Sequence, residues 1–179
     1  MINVIHNQYR PDRWATLLHE LKRQGIEDYK IWPSIFDNPI CKGVSRAHKR
    51  IVQFAKDGNL PEIIIAEDDI KFPAEDGFKY FLSKKPKDFD LYLGGIYRGE
   101  IKDGKTNDFS GLHLYIISQK FYDTFLGIDE NKHLDTELAG KGDYHVCYPF
   151  AAIQYSGFSD VERSKTNFEG LLTGKLIYQ

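Results

Sequence analysis

Residues 62–72 read Glu62-Ile63-Ile64-Ile65-Ala66-Glu67-Asp68-Asp69-Ile70-Lys71-Phe72. An unbroken apolar run over 63–66 predicts a short strand buried on both faces, as in a parallel sheet with helices on each side. The three acids then fall at its C-terminal end, where open α/β sheets bind ligands. Side chains alternate along a strand, so Glu67 and Asp69 should share a face while Asp68 points away. Two carboxylates about 6 Å apart repel by roughly 3 kcal/mol at an effective dielectric near 20. A hard divalent cation, Mg²⁺ or Mn²⁺, would turn that repulsion into attraction. The alternative is a solvated acidic turn, or acids favoured by the start of the next helix.

The surrounding pattern extends the argument. Residues 2–6 read as a strand, and Pro11 suits the first turn of a helix whose stripe is Trp14, Leu17, Leu18 and Leu21, ending at Gly25. Further strands are expected over 29–35, 62–66 and 90–94, and helices over 44–57 and roughly 75–84. This alternation predicts a parallel α/β sheet. Beyond it, 99–111 reads as a polar loop with a turn at Asp103-Gly104, 113–118 as a strand, and 119–127 and 134–141 as helical.

A chain of 179 residues suits one domain. With 41% hydrophobic and 28% charged residues it is not a disordered polymer. Lys plus Arg number 24 against 26 Asp plus Glu, a net charge of -2, which gives no electrostatic footprint for nucleic acid. Two cysteines, Cys41 and Cys147, make no disulfide framework and fit a reducing cytoplasm. The opening Ile2-Asn3-Val4-Ile5 lacks a signal-peptide core, and no apolar run reaches the length of a membrane span. A cytoplasmic location is therefore expected, with no transmembrane segment and at most peripheral membrane contact.

Other candidate residues follow from position. His48 falls on the apolar stripe of Val44, Ala47, Ile51, Val52 and Ala55. A histidine there is expected to be a satisfied core residue bonded to backbone or to a carboxylate near the strand end. Arg10 and Arg13 follow the first strand, where either could pair with a phosphate or remain a solvated helix residue. Gly94 and Gly95 end the 90–94 strand, where they allow close approach of a ligand or form a plain turn.

At this point the chain resembles the family 25 glycosyltransferases, which include lipopolysaccharide sugar transferases. The matching positions run in order along most of the chain: Arg10 and Arg13; Gly43 and His48; Glu67, Asp68 and Asp69; Gly111 and Tyr115; Asp135; Pro149, Gln154 and Ser159-Asp160. Where that family has Ser beside the His, this chain has Ala47, with Ser45 two residues earlier. The resemblance implies a glycosyltransferase-A-like fold, a Rossmann-like mixed sheet flanked by helices in a compact single domain. It further implies a sugar-nucleotide-binding half over 1–95, an acceptor and catalytic half over 96–160, and a tail over 161–179.

The activity implied is metal-dependent transfer of a sugar from a nucleotide-sugar donor, UDP-linked by expectation, to a glycan or lipid-linked glycan acceptor of lipopolysaccharide type. Asp69 and Glu67 would be the ligands of Mn²⁺ or Mg²⁺, with His145, His113 or Gln154 as a third. Asp68 would reach the donor's ribose or sugar, and Arg10, Arg13, His48, Gly94, Gly95 and Ser159 would line the donor site. Asp135 would be the catalytic base, with Glu137 its rival; a helix-start acid is the alternative for Asp135. In the tail, Arg163 and Lys165 could close over the diphosphate. Two other readings remain. One is a degenerate, non-catalytic sugar-nucleotide-binding protein, motivated by Ala47 and the short chain. The other is a metal-dependent phosphotransfer domain, disfavoured because His6-Asn7-Gln8 stands where a receiver domain needs acids.

Overall fold

A computed structural model describes residues 1–160 and 163–179. The chain builds β1 (Ile2–His6), α1 (Pro11–Arg23), β2 (Tyr29–Pro33), α2 (Ile40–Asp57), β3 (Glu62–Glu67), β4 (Ile70–Lys71), α3 (Gly77–Ser83) and β5 (Leu91–Leu93). There follow β6 (Lys105–Thr106), β7 (Leu114–Ser118), a 3₁₀ turn, α4 (Tyr122–Leu126), α5 (Leu134–Leu138) and β8 (Tyr144–Val146). The chain closes with β9 (Ile153–Gln154), β10 (Gly157–Ser159), β11 (Ser164–Thr166) and α6 (Phe168–Leu171).

Seven strands form one sheet in the order β2-β1-β3-β7-β5-β8-β6. β2, β1 and β3 are parallel, as the strand–helix alternation requires. Beyond the alternating half the sheet turns mixed at β7, which runs antiparallel to both β3 and β5. The polar stretch after β5 is a return loop rather than a crossover helix, so the next strand enters reversed. The outcome is a mixed sheet flanked by helices, the α/β class expected. Because β7 lies between β3 and β5, both halves of the sequence share one sheet.

Each face has its own core. Ile63 and Ile65 pack with Ala47, Ile51, Val52 and Ala55 of α2. Ile64 and Ala66 pack with Leu17 and Leu21 of α1. The apolar run of β3 is thus buried from both sides because each parity of its side chains meets a different helix layer.

Two helix starts carry local chemistry. Pro11 opens α1 as expected, and Gly25, at φ +65°, turns the chain after it. α2 starts at Ile40, four residues before the expected 44, immediately after Pro39. Gly43 therefore lies inside its first turns, where a Cβ would meet the Ile35 carbonyl oxygen at 2.2 Å. Only a bare backbone lets α2 pack this tightly against the loop after β2. Among the described residues no helix is long and apolar enough to cross a membrane.

Candidate active site

The parity of β3 continues into the acidic turn and sorts its side chains. Glu67 stays on the α2 face, where His48 Nε2 meets its Oε1 at 3.2 Å. His48 is buried, and its Nδ1 lies 2.9 Å from the Tyr115 hydroxyl of β7. The stripe histidine is thus a satisfied core group, bonded to a carboxylate at the strand end. Asp68 turns to the α1 face. Its Oδ2 accepts from His6 Nδ1 at 2.9 Å and from the Asn7 backbone N–H at 2.8 Å, and its Oδ1 accepts from Arg13 Nη1 at 2.8 Å. With only 4% of its surface exposed and three donors in place, Asp68 ties the end of β1 and the first turns of α1 to β3. The protein supplies three of its donors, and the part of Asp68 left open borders two cavities.

Asp69 rejoins Glu67. The Gln154 side-chain amide donates from Nε2 to Glu67 Oε2 and to Asp69 Oδ1, both at 2.9 Å. Arg13 Nη1 lies 3.1 Å from Asp69 Oδ2. Burial, the Glu67 charge and then the Asp68 charge push the Asp69 carboxyl up to about 7, against the opposing pull of Arg13 and the Gln154 hydrogen bond. For Glu67 burial also acts upward, but the hydrogen bond and charge of His48, with smaller help from His113 and Arg13, hold it below the ordinary range. Burial would lower the Arg13 pKa, and the Asp69 and Asp68 charges more than reverse it.

These shifts have a consequence for stability. Asp69 has a folded pKa near 7 against an ordinary 3.8, so between those values the native state binds more protons than the unfolded chain. Stability in cation-free buffer should therefore fall as pH rises from about 4 to about 7. Asp69→Asn should flatten that slope, read from urea midpoints at each pH in EDTA; an unchanged slope would assign it to another group.

The acids form a wall between cavities. One, of about 250 Å³, opens between the ends of β1 and β2 and the start of α2, walled by Ile5, Ile35, Phe36, Ile40 and Val44 with Asn7 and Ser34 as polar points. Glu67, Asp68, Asp69, Arg13, His48, Ser159 and Asp160 also line it. A second, of about 190 Å³, shares His48, Glu67, Gln154 and Ser159 and adds Cys41, Tyr97, His133 and Asp135. A third, of about 350 Å³, lies behind Arg13 against Arg10, Tyr155 and Phe158.

Asp135 sits in the first turn of α5 and faces the second cavity. Its Oδ2 accepts from Ser110 Oγ at 2.9 Å and the Gly111 N–H at 3.2 Å, and its Oδ1 from the Thr136 N–H at 2.9 Å. Glu137 pairs instead with Lys132 at 3.1 Å and lines no cavity described above. Arg10 is bound to Asp12 and Asp160 and, with Arg13, donates to the Phe158 carbonyl. The two arginines strap the β10–β11 hairpin across the end of β1. Arg163 and Lys165 lie on that hairpin and line none of the three cavities; Val161 and Glu162 of the tail lie outside the described residues.

His145 and the two glycines contribute nothing to the acid pair. His145 is on β8, three strands across the sheet from β3, with its Nε2 3.2 Å from Asp143. The expected third ligand is thus bound to a surface acid. Gly94 and Gly95 do allow close approach, but of the protein itself: a Cβ on Gly94 would meet Leu114 at 2.7 Å and one on Gly95 the Ala152 carbonyl at 2.3 Å. Both are buried in the sheet, so the expectation of a ligand against them is corrected to tight internal packing. His113 is buried, with Nε2 3.1 Å from the Ala152 carbonyl.

Two participants carry little sequence signal. Tyr97 is buried against the Gln154 backbone beside Asp69 and Glu67, and its hydroxyl has no hydrogen-bond partner of good geometry. Tyr115 enters the sequence reading only as a strand residue matching the family pattern, with no role attached. Among the described residues no three His, Cys, Asp or Glu side chains converge on a metal position. The donor set nevertheless suits a hard cation: two carboxylates share one edge, one of them pushed up to about 7 by burial and by the other's charge, with the Tyr97 hydroxyl alongside. A Mg²⁺-type site needs only one or two carboxylates, the remaining positions being taken by substrate phosphates and water.

No protein-family model matches the sequence, and no curated protein matches it either. Among solved structures, A197 from STIV superposes with a TM-score of 0.55 at 16% identity over 93% of each chain. HddC from Yersinia pseudotuberculosis gives a TM-score of 0.46 at 16% identity over 81% of this chain and 67% of that one. A Drosophila beta-1,4-galactosyltransferase 7 variant in complex with manganese, UDP-Gal and xylobiose gives 0.46 at 13% over 74% and 54%. The first match shows a shared fold; the other two superpose too loosely to carry an argument.

Proposed function

We propose that the chain is a metal-dependent glycosyltransferase, taking a sugar from a nucleotide-sugar donor to a glycan acceptor. The observation that carries this reading is the placement of Glu67 on the wall shared by the first two cavities at the carboxyl edge of the sheet, with Asp69 beside it in the first and Asp135 across the second. The ordered match of Arg13, Gly43, His48, Glu67 to Asp69, Asp135 and Gln154 to the family 25 pattern supports it. A UDP-linked donor and a lipopolysaccharide-like acceptor belong to that resemblance.

In this reading the first cavity takes the nucleoside, its apolar walls accepting a base and Asn7 and Ser34 supplying polar contacts. Glu67 and Asp69 would hold Mn²⁺ or Mg²⁺, which stabilises the negative charge that develops on the departing diphosphate. His48, fixed by Tyr115, orients Glu67, and Asp68 holds Arg13 beside Asp69. Asp135 takes the proton of the acceptor hydroxyl; the donors from Ser110 and Gly111 fix its Oδ2 at the cavity wall. Asp135→Ala should lower turnover by about 10²–10⁴-fold with little change in KM and remove the acid limb of the pH–rate profile. A loss below tenfold would take the base role from Asp135.

The direct test is a thermal-shift screen of sugar nucleotides with and without Mn²⁺. A true donor at a hundred times its Kd adds about 2.7 kcal/mol, a rise of roughly 5–10 °C for a chain of this size. No metal-dependent shift with any donor would overturn the reading. A shift without turnover over a broad acceptor panel would instead favour the non-catalytic binding protein.

A further inference from the structure

One nitrogen atom stands where two carboxylates meet. Gln154 Nε2 gives both its hydrogens away, one to Glu67 Oε2 and one to Asp69 Oδ1, each at 2.9 Å. That is the position from which a divalent cation would meet both acids. The side chain is 8% exposed, and its backbone is fixed on either side. Ile70 of β4 pairs with Gln154 of β9, and the next residue's N–H donates to the Asp69 carbonyl at 2.8 Å. That short ladder holds the backbone of Gln154 against the acidic turn.

A cation must still reach the two oxygens. Mg²⁺ takes its oxygen ligands at about 2.0–2.1 Å, so each carboxylate would draw in by about 0.8 Å from its distance to Nε2. An amide nitrogen facing the ion would then be repelled. The smallest movement that removes it is rotation about the terminal side-chain torsion, which is broad and close to two-fold for a carboxamide. That rotation exchanges Nε2 for Oε1 without moving the backbone. Without a cation the reverse orientation is excluded, since Oε1 would face two carboxylates.

A second observation marks the same spot. The Tyr97 hydroxyl, on a residue 7% exposed, lines the cavity with Glu67 and Gln154 and lacks a partner.

We propose that the Gln154 carboxamide is a two-position element of the cation site: its nitrogen stands in for the ion between Glu67 and Asp69, and its oxygen becomes the third protein ligand when the ion binds. This rests on the metal-dependent reading of the site. It assigns the third ligand to β9, two residues past the buried Ala152, and not to the histidine on β8.

The experiment uses Mg²⁺ and Mn²⁺ alone and with UDP, on the full chain. The Gln154 side-chain amide is followed by ¹H–¹⁵N NMR during Mg²⁺ titration, and Mn²⁺ affinity is measured by electron paramagnetic resonance. Wild type should show a large shift of the Gln154 amide pair as its carboxylate hydrogen bonds are lost. Gln154→Met, close in length but without the amide, should bind Mn²⁺ at least tenfold more weakly. Gln154→Glu, which can only accept, should bind it at least tenfold more tightly and melt lower than wild type in EDTA. If wild type binds the ion, Glu67→Gln and Asp69→Asn abolish binding, and Gln154→Met matches wild type, the two-position element is wrong while the metal site stands. If wild type binds neither ion with or without UDP, the metal-dependent reading fails and this inference with it.

Discussion

Asp68→Ala is expected to lower stability by about 3–5 kcal/mol, because it leaves the half-buried Arg13 guanidinium, His6 and the Asn7 N–H without their shared acceptor. Asp69, 3.1 Å from Arg13, and the Phe158 carbonyl keep the guanidinium from being wholly abandoned, which favours the lower end. For a chain of this length the melting temperature should fall by roughly 6 °C or more. Asp68→Asn retains an acceptor of the same shape and should lose less. A melting temperature within about 2 °C of wild type for the Ala variant would show that water replaces all three bonds. Because the protein already supplies Asp68 with three donors, the Asn variant should also keep donor affinity within a few fold, whereas a ribose contact would predict its loss.

The second large effect is on activity. Asp69→Asn should reduce Mn²⁺-dependent transfer or donor hydrolysis by at least about a hundredfold, since a cation contributing several kcal/mol to the departing diphosphate loses a charged ligand. The same variant should be more stable than wild type in EDTA at pH 8. It removes a buried charge that its neighbours oppose strongly enough to push the carboxyl up to about 7. The pairing of these outcomes separates function from folding: a dead protein that melts higher has lost a ligand, not its structure. Undiminished activity would remove Asp69 from the metal role, and a lower melting temperature in EDTA would reverse the electrostatic account of the acid pair.

The acidic turn shows what local sequence can specify. Strand parity alone separated Asp68 from Glu67 and Asp69, because a period of two survives into the turn. The helix stripe placed His48 against the strand end, since α2 packs directly on β3. Periodicity was silent wherever the partner comes from far along the chain, and Gln154 was a candidate through the family resemblance alone. It bridges acids 87 and 85 residues earlier, on a two-residue strand too short to leave a periodic pattern. The reversal of β7 was hidden because Leu114–Ser118 is as apolar as a parallel strand, being buried on both faces in the same way. Gly94 and Gly95 look alike whether they admit a ligand or a neighbouring strand; only the Leu114 and Ala152 contacts decide. His145 has the side chain of a ligand but lies beyond β7 and β5 from the acids.

The place of β7 between β3 and β5 also bears on how the molecule comes into being. β1, β2 and β3 can pair as soon as they leave the ribosome, but β3 then presents an open apolar edge until residues 114–118 arrive. Such an edge invites pairing with another nascent chain. The charges of the acidic turn sit at the end of that edge, and Gln154 follows only 85 residues after Asp69. Closure through these distant pairings is intrinsically slow. The unbridged acids therefore repel like chains at the stage when β3 is most exposed, so the groups assigned to binding a cation also act as gatekeepers against aggregation during folding.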